Sequence, residues 1–154
     1  MTNREIGSAI KKELKAAGYN AKDFKVSVKA SGYDTAAYIT VKNPGVNRCK
    51  VENLLNHWGQ IDRDERTGEV LAGCNLYLFI EYEHGIFDQL ATKYLAEAKA
   101  ILDDTADVVT VAGNLIYYNR ELHDTENHTH RIATTPESVA EYLYKFYHFG
   151  TIEA

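Results

Sequence analysis

The sequence predicts an α+β fold: a mainly antiparallel, curved sheet of about five strands with helices packed on one face. Three observations lead there. Apolar spacing switches repeatedly between the helical period and strict alternation. Two alternating pairs, around "SGYD" and around Gly113-Asn114, read as β-hairpins. Helices fall between these hairpins without the regular strand–helix–strand order of a parallel sheet. With 154 residues, 45% hydrophobic and 25% charged, the chain is expected to form one domain over 1–154 with a real core.

Each element has its own signal. Thr2 and Glu5 form a capping box, opening a helix with Ile6, Ile10, Leu14 and Ala17 on one face; Gly18 stops it. In "FKVSVKA", Phe24, Val26, Val28 and Ala30 face one way and Lys25, Ser27 and Lys29 the other. "AAYITV" returns with Ala37, Ile39 and Val41 on one face, and "NPG" ends the pair. A helix over 47–60 carries Val51, Leu54, Leu55 and Trp58 as its apolar stripe, which predicts a buried Trp58. "DRDERTGEVLAG" reads as a charged loop with a turn at Thr67-Gly68. In "CNLYLFIEYE", Leu76, Leu78, Ile80 and Tyr82 alternate with Tyr77, Phe79, Glu81 and Glu83. Both faces begin apolar, which predicts a central strand, with Cys74 in the core. A long helix over 86–103 keeps Phe87, Leu90, Ala91, Tyr94, Ala98, Ile101 and Leu102 in phase. After the second hairpin and a polar stretch, Thr135 and Pro136 open the last helix.

Bulk properties narrow the function. A net charge of -5 argues against a nonspecific nucleic-acid binder. Two unclustered cysteines, no apolar signal core and no apolar run near membrane-spanning length lead to an expectation of a cytoplasmic protein of bacterial type with no membrane contact. Eleven tyrosines are many for this length and suit contact surfaces or core caps.

The first hairpin with the helix after it, "FKVSVKASGYDTAAYITVKNPGVNRCKVENLLNHW", together with "GNLIYYNRE", resembles the large polyvalent protein-associated domains of phage and mobile-element proteins. The resemblance covers about 4–58 and 107–121 and maps no catalytic motif onto these positions. It implies a phage or mobile-element context, in which small proteins often bind host machinery. They include anti-CRISPR inhibitors and sponges for defence signalling nucleotides.

Candidate chemistry concentrates in "RELHDTENHTHRIATTP", 120–136, which holds His123, His128 and His130 with Asp124 and Glu126. These are metal-ligand types, but HEXXH and helical i, i+4 histidine pairs are absent. A polar loop is the favoured reading, a metal site formed by His123, His128 and His130 the second, and no cofactor is expected. Cys49 near a helix start, paired with His57, is a weaker nucleophile candidate. No Walker or nucleophile-elbow motif occurs. Glu81 and Glu83 read as a solvated strand end. Lys25 and Lys29, with Lys42 and Arg48 as possible extensions, form a basic stripe suited to a phosphate or an acidic partner, or to keeping a sheet edge from aggregating. The last helix, "AEYLYKFYHFG", is expected to dock through Val139, Leu143 and Phe146, leaving Tyr144, Tyr147 and Phe149 as a second apolar surface for a homodimer or partner.

The expectation is a non-enzymatic binding protein that inhibits a host defence complex by protein contact through Tyr144, Tyr147, Phe149, Lys25 and Lys29. The alternatives are a nucleotide sponge, with Tyr and Phe stacking on a base, and a metal-dependent hydrolase built on the histidine stretch.

Overall fold

The computed structural model describes residues 1–59, 66–67 and 75–154. The class is α+β, as the sequence predicts. Among the described residues the strands form two sheets, of three and four strands, and the chain divides into two compact units, Met1–Ile86 and Phe87–Ala154.

In the first unit, helix α1 (Asn3–Ala16) has the expected capping box between Thr2 and Glu5. Strands β1 (Phe24–Ser31) and β2 (Asp34–Val41) form the predicted antiparallel hairpin. Gly32 holds φ +63° in its turn, which glycine adopts without a Cβ penalty. Helix α2 (Arg48–Leu55) starts at Asn47, whose side chain accepts from the amides of Cys49 and Lys50. Strand β3 (Leu76–Tyr82) lies parallel to β2, and α2 belongs to the crossover that such pairing requires. Among the described residues β3 is at the sheet edge, and β2 is central. The apolar residues on both faces of β3 therefore reflect something other than a central position. Gly68 and Cys74 lie outside the described residues, as does most of the charged connection, although Arg66 and Thr67 are in a turn.

Ile6, Ile10 and Leu14 from α1 and Val51 and Leu55 from α2 pack on Phe24, Ala37, Ile39, Val41, Leu76 and Ile80. Both helices thus cover the same face of the sheet.

Trp58 departs from expectation. The α-helix ends at Leu55, and residues 56–58 tighten into a 3₁₀ turn. The indole is half-buried rather than buried, and its N–H donates to Glu13 Oε2 at 2.7 Å. His57 Nε2 meets Glu13 Oε1 at 2.5 Å. Burial raises the Glu13 carboxyl, but the bonds from His57 and Trp58 and the His57 charge more than offset this and leave its pKa below 4.5. A carboxyl lowered on folding stabilises the fold above its unfolded pKa, and that contribution is lost as pH falls through the folded value. Glu13→Gln should therefore lower the melting temperature at neutral pH and flatten its fall in acid, so that the two proteins converge as the Glu13 carboxyl is protonated. Parallel acid-limb slopes for the two proteins would contradict this coupling.

In the second unit, the predicted long helix is broken into α3 (Asp88–Ala91), a 3₁₀ turn at Thr92–Tyr94 and α4 (Leu95–Asp103). Strands β4 (Val108–Ala112) and β5 (Leu115–Tyr118) turn at Gly113-Asn114 as expected. The stretch expected to be a polar loop contains two more strands, β6 (Glu121–Asp124) and β7 (Thr129–Ile132), completing an antiparallel meander. Asn119 and Arg120 both have positive φ between β5 and β6, the backbone that a two-residue hairpin turn of type I′ needs. Helix α5 (Pro136–Phe149) has Thr135 as its cap, Pro136 in its first turn and left-handed Gly150 at its end.

Candidate functional site: the open face of the three-stranded sheet

Because α1 and α2 cover one face of the first sheet, alternation sends every second side chain to the other. Register then sets three rows across it: Lys25–Thr40–Glu81, Ser27–Tyr38–Phe79 and Lys29–Ala36–Tyr77. The middle row carries the main feature. Tyr38 and Phe79 are each 44% exposed, and their rings stack with centroids 5.3 Å apart and planes 15° apart. Such a pair recovers about 0.5–1.5 kcal/mol beyond its buried area, yet it leaves much aromatic surface in water. Lys25 and Lys29 flank the row on β1, exposed and without an ion pair among the described residues. A hollow of about 110 Å³ lies between Tyr38, Thr40, Phe79 and Glu81.

The structure thus brings Lys25 and Lys29 to one surface with two rings. Tyr38 and its stack on Phe79 escaped sequence reading. Alternation alone places each ring on a face; only the parallel register of β2 and β3 makes them neighbours. Arg48 does not extend the stripe: it donates to Glu52 Oε2 at 2.7 Å, and both lie beside Phe79 and Glu81 in a hollow of about 230 Å³. Lys42 comes just after the end of β2, exposed, and Glu83 just after β3, also exposed.

The three histidines of the second unit separate into two groups. His123 and His130 are cross-strand partners on β6 and β7, stacked at 5.6 Å, and Glu121 Oε2 lies 3.5 Å from one nitrogen of each. His128 sits apart at φ +54° in the intervening turn. The carboxylates expected to complete a metal set serve the fold. Asp124 is buried and accepts from the Asn127 amide and side chain, and Glu126 accepts from Asn114 Nδ2 at 2.8 Å. Among the described residues no group of three or more His, Cys, Asp or Glu is placed to hold a metal ion. Of the Cys49–His57 candidate, the His57 ring is engaged by Glu13, and Cys49 lies beside Arg48 Nη2 at 3.7 Å.

Helix α5 also differs from expectation. Tyr144 is only 7% exposed and packs against Phe87, Tyr94 and His148, so it belongs to the core and not to a second surface. Tyr147 is exposed but donates to Glu97 Oε1 at 2.6 Å; burial first, then that bond and the Glu97 charge, push its pKa up to about 12. Phe149 is half-buried against His148. A larger groove of about 480 Å³ lies between α3 and the start of α5, with Phe87, Leu95 and Ala140 at its apolar side and Asp88, Glu137 and Glu141 at its rim. Thr92, Thr135 and Ser138 also line it, but their hydroxyls serve the helices: Thr92 donates to the Gln89 carbonyl, and Thr135 and Ser138 form the capping box of α5.

Among the described residues no helix is long and apolar enough to cross a membrane. The chain matches no protein-family model, no curated protein and no solved structure.

Proposed function

We propose that this chain is a non-enzymatic binding protein whose recognition surface is the open face of the first sheet. We also propose that it acts against host defence on behalf of a phage or other mobile element. The observation that carries the binding reading is the stacked, half-exposed Tyr38–Phe79 pair between the Lys25–Lys29 stripe and Glu81. Aromatic centres with polar, charged rims are where binding energy concentrates. The setting comes from the resemblance of 4–58 and 107–121 to mobile-element domains.

Tyr38→Ser with Phe79→Ser tests both parts. The pair is on the surface, so the variant should stay folded, losing about 1 kcal/mol of cross-strand stacking. In a bacterial strain protected by a CRISPR or nucleotide-signalled defence, the wild-type chain should raise phage plaque counts at least tenfold, and the variant should not. No gain from the wild-type chain against either defence sinks the anti-defence reading. A full gain from the variant sinks the assignment of the face.

A further inference from the structure

We infer that the occupant of this face is a free nucleotide, a nucleobase bearing phosphate, seated above Ser27 against the outer side of Tyr38. The inference rests on the reading of the open sheet face as the binding surface and names its ligand.

Tyr38 turns one ring face to Phe79 on β3. Its other face turns toward β1, where its cross-strand partner is Ser27. Neighbouring strands are about 4.8 Å apart, close to the 5.3 Å step between the Tyr38 and Phe79 rings. A third planar ring placed over Ser27 therefore continues the stack by one strand. Serine leaves that position low, and its hydroxyl can donate to or accept from a base edge. Its two neighbours on β1's outer face are both lysines. Lys25 and Lys29 lie two residues either side of Ser27, about 7 Å along the strand, within reach of a phosphate one sugar away from the base.

Base stacking on aromatic rings with lysines holding phosphate is the chemistry of nucleotide capture. The net charge of -5 favours a small anion over a polyanion, because few basic residues lie elsewhere on this face to track a nucleic-acid backbone.

Calorimetric titration of the full chain with adenosine 5′-monophosphate, adenosine and inorganic phosphate tests this. The monophosphate should bind at least tenfold more tightly than adenosine or phosphate. Lys25→Gln with Lys29→Gln should reduce its affinity to that of adenosine, and leave adenosine itself unchanged. Ser27→Leu should fill the seat and weaken the monophosphate about tenfold or more with an unchanged melting temperature. The inference is overturned by no binding at millimolar monophosphate, or by equal binding to Ser27→Leu. Tighter, steeply salt-dependent binding of an oligoadenylate would overturn the assignment to a free nucleotide. The two proposals fail separately. Loss of plaque protection in the Tyr38/Phe79 variant without nucleotide binding leaves the face to a protein partner and removes the nucleotide. Nucleotide binding without plaque protection keeps this inference and removes the defence setting.

Discussion

Tyr144→Glu should unfold the Phe87–Ala154 unit. The ring is 7% exposed, with Phe87 at 5.5 Å, Tyr94 at 6.4 Å and His148 at 5.3 Å. Removing a large buried aromatic costs about 3–5 kcal/mol, and a carboxylate in its place adds a desolvation cost of several kcal/mol unless it is neutralised. Together these approach the whole stability of a small domain, about 5–15 kcal/mol. Circular dichroism should show loss of the cooperative melt of this unit. Tyr147→Glu, on the exposed side of the same helix, should keep it. A native-like melt for Tyr144→Glu would return that ring to the surface, where the helix periodicity alone had placed it.

Ile10→Ala should cost the first unit about 2–5 kcal/mol. Ile10 is fully buried where α1 lies on the sheet, in a core to which α1 contributes Ile6, Ile10 and Leu14. Urea unfolding should show a lower midpoint with an unchanged slope, while Lys11→Ala, on the exposed side of α1, should change little. A loss below about 1 kcal/mol for Ile10→Ala would mean the α1 face is not packed as described.

Where periodicity and capping chemistry act together, the fold is legible in the sequence. Thr2 with Glu5, Asn47, and Thr135 with Pro136 each mark a helix start that the structure keeps. The β1–β2 and β4–β5 hairpins arise from alternation and turn residues. The β6–β7 hairpin does not. Its strands are four residues each, and "ELHD" and "THRI" carry histidine, arginine and acids where strand formers are usual. The β5–β6 turn that leads into it uses Asn-Arg, a weaker signal than Asn-Gly. The break at Thr92–Tyr94 was hidden because the apolar residues stay in phase across it.

The candidate site was half legible. Lysines alternating on β1 give Lys25 and Lys29 directly. The ring pair depends on β2 and β3 lying side by side and parallel, a long-range pairing that no local pattern encodes. The same limit explains Tyr144. Helical periodicity distributes five aromatics around "YLYKFYHF", but which side is covered depends on α3 and α4 packing there.

The most direct test of the binding face sets three surfaces against one another in the phage-challenge assay: Tyr38→Ser with Phe79→Ser on the sheet, His123→Gln with His130→Gln on the hairpin, and Tyr147→Ser on α5. Each variant is first shown to be folded by its thermal melt. The predicted result is loss of plaque protection for the sheet variant alone, with the other two matching the wild-type chain. Protection kept by the sheet variant and lost by the hairpin or helix variant would contradict the assignment and move the recognition surface to the second unit.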